Sequence, residues 1–281
     1  MLHPKAFSYL GANYSKRVRY LLHIGFDGSN YIGWQRQPVG TSVQETIEDA
    51  LKRIFKTDIT VYGCGRTDSG VHASQYMFHI TLIEALDFDL KFRLNKNLPD
   101  EIAVYDIVEI ENNQHARYDA TWRTYDYFIH LYKDPFLSRY SSLYEYDKLD
   151  FEAMKKAAAL LPLYSDFKAL CRRSHIYKHT KCQVTQAKLF VDTAQQRVRF
   201  TITANRFLHG MVRISVHFLL EIGRGNMTLE EFEKNLANQI EVPVKRLAHP
   251  TGLYLTRVEY PYLNIPPRPN ITSFLKRGLE D

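Results

Sequence analysis

The sequence predicts an α+β protein built from two related α/β halves with largely antiparallel sheets. Three observations carry that expectation. Strand and helix patterns intermix without strict βαβ alternation, a strand–helix–strand–strand order occurs twice, and no low-complexity linker separates the two runs. The halves are therefore expected to pack together. The division falls near Asn112–Arg117, giving an N-terminal domain over residues 15–114 and a C-terminal domain over 115–262. An N-terminal extension over 1–14 and an irregular tail over 263–281 flank them.

The first run opens with VRYLLHIGFDG, whose apolar Val18, Tyr20, Leu22, Ile24 and Phe26 alternate as in a strand. TSVQETIEDALKRIF follows as a helix. Ser42 and Glu45 have capping-box spacing, and Val43, Ile47, Ala50, Leu51 and Ile54 form its buried stripe. DITVYGCG and QYMFHITLI read as strands, LKFRLNKNLP as a short helix stopped before Pro99, and IAVYDIVEI as another strand. In the second run, RTYDYFIHLY is a strand, and FEAMKKAAALLP is a helix with Phe151, Met154, Ala157, Ala158 and Leu161 on one side. KCQVTQAKLFVD and QRVRFTITA form a hairpin closed around Thr193–Gln195. FLHGMVRISVHFLLEIGRG is a long apolar helix stopping at Gly223 or Gly225, and MTLEEFEKNLAN carries a second capping box at Thr228 and Glu231. GLYLTRVEY is the last strand, and PPRPNITSFLKRGLED reads as irregular.

Composition narrows the class. The 281 residues suffice for one large or two ordinary domains, and 45% hydrophobic with 24% charged residues is the balance of a folded soluble protein. No apolar run is long enough to span a bilayer, and MLHPKAFSYLGANYSKR lacks a signal-peptide core. Cys64, Cys171 and Cys182 are too few and too oddly numbered for a disulfide framework, so a reduced, cytoplasmic protein is expected. The net charge of +6 favours a polyanionic partner. Basic and aromatic side chains interleave in RYDATWRTYDYFIHLYK and in CRRSHIYKHTK, a combination that meets phosphates while stacking on exposed bases. Amphipathic strands with one solvated charged face would produce the same interleaving.

The segment with most chemistry in it is GCGRTDSGVHA, Gly63 to Ala73. In an extended or tightly turned Arg-Thr-Asp, Arg66 and Asp68 lie two residues apart on the same side. A neighbouring guanidinium favours the ionised carboxylate, keeping it available as a base or nucleophile. The glycines permit tight turning and close approach. An Arg–Asp pair that merely pins a turn has the same residues, and composition alone does not separate the two.

Within GRTDSGVHA the string resembles the signature of the TruA family of tRNA pseudouridine synthases. Further blocks resemble the same family in order: FDGSNYIGWQRQ with SVQETIEDAL, LNKNLPDEIAV, HARYDATWRTYDYFI, NRFLHGMVR and GLYL, together running from about Val18 to Tyr260. The resemblance implies the pseudouridine synthase fold, its two halves packed around a central basic cleft. It implies an isomerase that converts uridine to pseudouridine in the anticodon stem-loop of tRNA, at positions 38–40. It also implies a homodimer that uses no cofactor and no metal. Carried over residue by residue, Asp68 is the nucleophile and Arg66 helps extrude the target nucleotide. Tyr125 packs against the flipped base and can act as acid–base partner, Arg213 pairs with the nucleophile, and Leu253 lines the uracil pocket. Arg172 and Arg173 belong to a basic loop expected near the RNA path. His72 is expected to be a structural, hydrogen-bonded histidine.

Other readings stand beside this one. The same chemistry could act on a different RNA. A non-catalytic RNA-binding protein would retain the basic and aromatic surface, but the aromatic signature of the common RNA-recognition motif is missing. A glycoside or nucleoside hydrolase usually needs two flanking carboxylates, and GRTDSG supplies one. Cys171, His175, His179 and Cys182 are zinc-capable residues, but C-x3-H-x3-H-x2-C is not a standard finger spacing, and no metal is expected there. The family pattern is departed from at Gln75 and Tyr76, at Leu170 and at His249, which bears on the choice of RNA.

Overall fold

The computed structural model describes residues 17–241, 247–268 and 271–279. The N-terminal extension expected over 1–14 lies outside the described residues. The first half contains β1 (Val18–Phe26), α1 (Val43–Phe55), β2 (Tyr62–Gly63), β3 (His72–Leu82), α2 (Leu90–Asn97) and β4 (Ile102–Ile110). The second contains β5 (Trp122–His130), β6 (Ser142–Leu143), α3 (Phe151–Leu160), β7 (Val184–Val191), β8 (Arg197–Ala204), α4 (Met211–Gly223), α5 (Leu229–Ala237) and β9 (Leu253–Glu259), with α6 (Ile271–Leu275) after it.

All nine strands belong to one sheet, whose main path runs β4-β1-β3-β9-β5-β8-β7; β2 adds to β3 and β6 to β5. Most pairings are antiparallel, as expected. The two halves do not carry separate sheets, however. β3 and β9 pair in parallel through His72↔Tyr254 and Ala73↔Leu255. Fusing two edges satisfies backbone groups that separate sheets would leave open.

Local signals explain most elements. Ser42 Oγ accepts from the Glu45 amide at 3.1 Å to start α1, and Val43, Ile47, Ala50 and Leu51 are buried. Thr228 and Glu231 form a complete reciprocal capping box on α5. α3 buries Met154, Ala157 and Ala158, and the β7–β8 hairpin turns with Gln195 in the left-handed region at φ 54°.

Three elements differ from the sequence reading. The strand expected over DITVYGCG shrinks to Tyr62–Gly63, because the Val61 amide donates to Glu48 Oε1 on α1 and the chain turns away after Cys64. The helix expected from Phe207 starts at Met211, because Gly210 takes φ 73° and breaks the preceding turn. The tail expected to be irregular forms α6, which buries Thr272 and Leu275.

That tail helix lies behind the centre of the sheet. Leu275 packs with Phe128 of β5 and Tyr254 of β9. Asp126 of β5 is 1% exposed, its Oδ2 lies 2.8 Å from Lys276 Nζ, and Arg199 stands 4.0 Å from its other oxygen. A buried carboxylate without its cation is costly, so Lys276→Met should destabilise the fold by about 2 kcal/mol, less than a fully enclosed pair because Arg199 remains. Asp126→Asn combined with Lys276→Met should cost clearly less than the sum of the single changes. Chemical denaturation of the four proteins checks this, and strict additivity would mean the two side chains are not coupled.

Candidate active site

The parallel pairing brings the starts of β3 and β9 to the same end of the sheet. The loop before β3 carries Arg66 to Val71, and the turn before β9 carries Ala248 to Gly252. The Arg66–Val71 loop is seated on the β1–α1 connection. Trp34 N donates to Thr67 O, while Gly70 N and Ser69 Oγ both reach Tyr31 O. Gly33 has φ 107°, and a Cβ there would sit 2.2 Å from Thr67 O, so only glycine allows this contact. His72 holds the loop's far side. It is 1% exposed and stacks on Tyr254 at 4.6 Å. Its Nδ1 lies 3.2 Å from both Gly28 N and Asp27 Oδ1. Burial disfavours ionisation of Asp27, but hydrogen bonds from His72 and Ser29 outweigh it and hold that carboxyl below the usual carboxylate range. His72 is thus the structural histidine expected.

Asp68 is one-third exposed and meets the second half of the chain. Arg213, in the first turn of α4, places Nη1 3.0 Å from Asp68 Oδ2. Its Nε donates to Ala248 O at 2.7 Å, which ties the same guanidinium to the turn before β9. His209 Nε2 stands 3.9 Å from the other carboxylate oxygen. The carboxylate therefore meets a guanidinium carried by the first turn of α4.

The remaining candidates divide. Tyr125 is buried on β5, packed edge-on against Phe207 at 4.9 Å. Burial, reinforced by Cys64 and Asp68, raises its pKa well above the ordinary phenol value. Leu253 is buried at the start of β9, opposite Tyr127 of β5. Tyr127 donates to His249 O at 2.7 Å and bonds Ser142 Oγ, fixing the same turn that holds Arg213. Arg172 and Arg173 are exposed, and the Arg172 amide donates to His209 O, which sets their loop against the Asp68 surroundings. The Arg66–Asp68 ion pair that period-two spacing predicts is not formed. Arg66 is exposed and has no hydrogen-bond or ion-pair partner among the described residues.

Sequence reasoning missed two contributors. His209 sits four residues before Arg213 in NRFLHGMVR, and that spacing was the available signal. Arg123 of β5 donates to the carbonyls of Cys64, Arg117, Ala120 and Asn205, lashing the approach to the Asp68 loop to the second half. No local pattern announces that role.

The zinc-capable residues do not form a ligand set. His175 and His179 are exposed, whereas Cys171 and Cys182 are buried, which pushes both thiols up to about 11 and makes them poor thiolates. Among the described residues no group of three or more potential ligands comes together. The four departures are absorbed by packing. Gln75 is buried, accepting from Val258 N and donating to Ile265 O. Tyr76 stacks on Trp34 at 4.1 Å, Leu170 is buried, and His249 lends its carbonyl to Tyr127. Among the described residues no helix is long and apolar enough to cross a membrane.

Comparison with known proteins agrees with this geometry. A family profile described as tRNA pseudouridine synthase matches residues 23–119 and 164–261, spans that include Asp68, Arg213 and Leu253. A protein of Porphyromonas gingivalis named tRNA pseudouridine synthase A is 39% identical over 247 residues, covering 87% of this chain and 98% of that protein. One of the same name from Bacteroides thetaiotaomicron is 40% identical over 245 residues, covering 86% and 91%. A tRNA pseudouridine synthase A 2 of Clostridium perfringens is 33% identical, covering 85% and 98%. The loop that presents Asp68 to Arg213 thus sits within matches that run through both halves, and the chain belongs to the tRNA pseudouridine synthase family.

Proposed function

We propose that this protein isomerises uridine to pseudouridine at positions 38–40 of the tRNA anticodon stem-loop, acting in the cytoplasm as a homodimer. Asp68 is its nucleophile. The observation that carries this reading is the Asp68 carboxylate held 3.0 Å from Arg213 at the junction of the two halves. The reaction exchanges one bond for another within the same nucleotide. The N1–C1′ bond breaks, the base turns, and C5 bonds to C1′ while N1 gains a proton and C5 loses one. Nothing enters or leaves, so the chemistry asks for a positioned nucleophile and a site that retains the detached base. Asp68 attacks either C1′ of the sugar or C6 of the base, and both routes need its oxygen fixed and ionised.

The surroundings suit these tasks. Arg213 stabilises carboxylate charge before attack and after release. Leu253 offers an apolar wall for uracil. Tyr125, kept protonated by burial, packs against the base and is available to donate a hydrogen bond to it, while its raised pKa makes it a weak proton donor. Arg66, exposed beside Asp68, is free to enter the space vacated by the flipped nucleotide, whose extrusion costs roughly a few kcal/mol. Arg172 and Arg173 face the RNA backbone as a sequence-independent anchor.

Three outcomes test the reading. Asp68→Asn, close in shape but without a nucleophilic charge, should lower pseudouridine formation at least about 1,000-fold while tRNA affinity changes little. Undiminished turnover would remove Asp68 from the mechanism. Arg213→Met should lower kcat about 100-fold with a smaller effect on KM, the pattern for a lost electrostatic contact in the reacting state. Pseudouridine mapping across tRNA and ribosomal RNA, with and without the gene, should show loss confined to positions 38–40. Loss in another RNA alone would overturn the substrate and leave the reaction type intact.

A further inference from the structure

Away from Asp68, the first half exposes a cluster of rings that the proposed reaction does not use. Tyr62 of β2 is 48% exposed and Tyr118 is 76% exposed. Tyr62 lies directly across from His79 in the β2–β3 pairing, and the two rings stack at 5.0 Å and 14°. One face of Tyr62 is therefore backed by a neighbour and the other is left open. His79 itself is fixed. It is 2% exposed, and its Nδ1 accepts from the Ala116 amide at 3.2 Å. Burial, with His115 and Arg19 adding, lowers its pKa to about 3, so it backs Tyr62 as a neutral ring.

His115 continues the cluster outward. Its ring lies 4.5 Å from His79 and 4.3 Å from Tyr118, and its Nδ1 accepts from the Arg117 amide. Arg117 is exposed beside Tyr118, its guanidinium 6.0 Å from that ring. The Tyr62 end opens into a surface groove of about 1220 Å³ that Arg17 also lines. Asp58, Glu84 and Asp87 also line that groove, and each would repel a phosphate brought close to it. Tyr62 and Arg17 put a half-exposed ring and a guanidinium on the lining of the same groove.

The cluster is mechanically joined to the candidate active site. Tyr62 precedes Arg66 by four residues, at most about 14 Å of chain. A single guanidinium, Arg123, bonds both Cys64 O, between Tyr62 and Arg66, and Arg117 O, beside Tyr118. The rings and the Asp68 loop therefore hold one register relative to each other.

We propose that Tyr62 and Tyr118 form a stacking platform for an unpaired nucleotide of the RNA substrate a few nucleotides from the target uridine, with Arg17 and Arg117 meeting its phosphates. This rests on the reading of the protein as an RNA-modifying enzyme, and an anticodon loop supplies unpaired bases at that distance. Backed, rigid rings lose little freedom on binding, and any base can stack on them. The platform therefore contributes affinity and register without selecting sequence.

Steady-state pseudouridine formation on tRNA, with the intact chain and with Tyr62→Ala, Tyr118→Ala, Tyr62→Leu, Tyr62→Trp and Tyr62→Phe, tests this. The two alanine changes should each raise KM and the tRNA dissociation constant about 5- to 100-fold, the cost of one lost base stack, with kcat within about twofold. Tyr62→Trp and Tyr62→Phe should restore KM, whereas Tyr62→Leu, which keeps apolar bulk and guards against a folding defect, should not. Alanine variants with KM within twofold of the parent would overturn the platform, as would a loss confined to kcat or full rescue by leucine. An intact chain that forms no pseudouridine in any RNA would instead refute the enzymatic reading itself.

Discussion

Two residue pairs hold the site together. His72↔Tyr254 and Ala73↔Leu255 are the whole of the parallel contact between β3 and β9, yet they join the two halves into one sheet. Because the pairing is parallel, the segments entering both strands arrive at the same end. One brings Asp68 and the other brings Ala248 and His249. An antiparallel contact would have sent those segments to opposite ends of the sheet. The stacking of His72 on Tyr254 occurs at the pairing itself, so the residue that clamps the loop also clamps the seam. His72 is thus held by structure through its Nδ1 and its ring face.

The seam creates an electrostatic condition that Arg213 meets. At an effective dielectric near 20, opposite charges 3 Å apart attract by about 5 kcal/mol, and partial desolvation of both groups cancels much of that. The pair therefore adds little to stability and much to position. Arg213 is held by Ala248 O as well as by Asp68, so the carboxylate meets a guanidinium whose direction is already set. The turn behind Arg213 is equally fixed. Tyr127 and Tyr144 hold the main chain of His249 from both sides, through its carbonyl and its amide. A departure at that position is tolerated because the contacts use main-chain atoms and leave the side chain free to vary.

Much of this was legible in the sequence where the cause is local. The capping box of α5 and most of the α1 stripe depend on residues a few positions apart and appear as expected, with Ile54 only half-buried. β1 forms where its alternation predicts a strand, although both its faces are buried. The misses have long-range causes. β2 is short because Glu48, on α1, takes the Val61 amide. α6 forms in a segment rich in proline and charge because Lys276 finds Asp126 across 150 positions of chain. Arg123 is one arginine among many in the sequence, and its four carbonyl partners become visible only once β5 lies beside the Asp68 loop. The Arg66–Asp68 pair failed for the opposite reason. Spacing allowed it, but Arg213 occupied the carboxylate first.

That competition assigns the two arginines different tasks. Arg213 is committed, with both ends of its guanidinium bonded and little conformational freedom left to lose. Arg66 keeps its side chain in solvent and so retains close to the full rotamer entropy of an arginine, roughly 2 kcal/mol. In the function proposed above, an Arg66 that takes the place of a flipped nucleotide cannot be tied to Asp68 beforehand, because breaking that tie would add to the cost of extrusion. Had Arg66 paired with Asp68, that proposed movement would strip the carboxylate of its partner. Drawing the structural cation from the second half, 145 positions away, leaves the first half's arginine mobile and the carboxylate continuously paired.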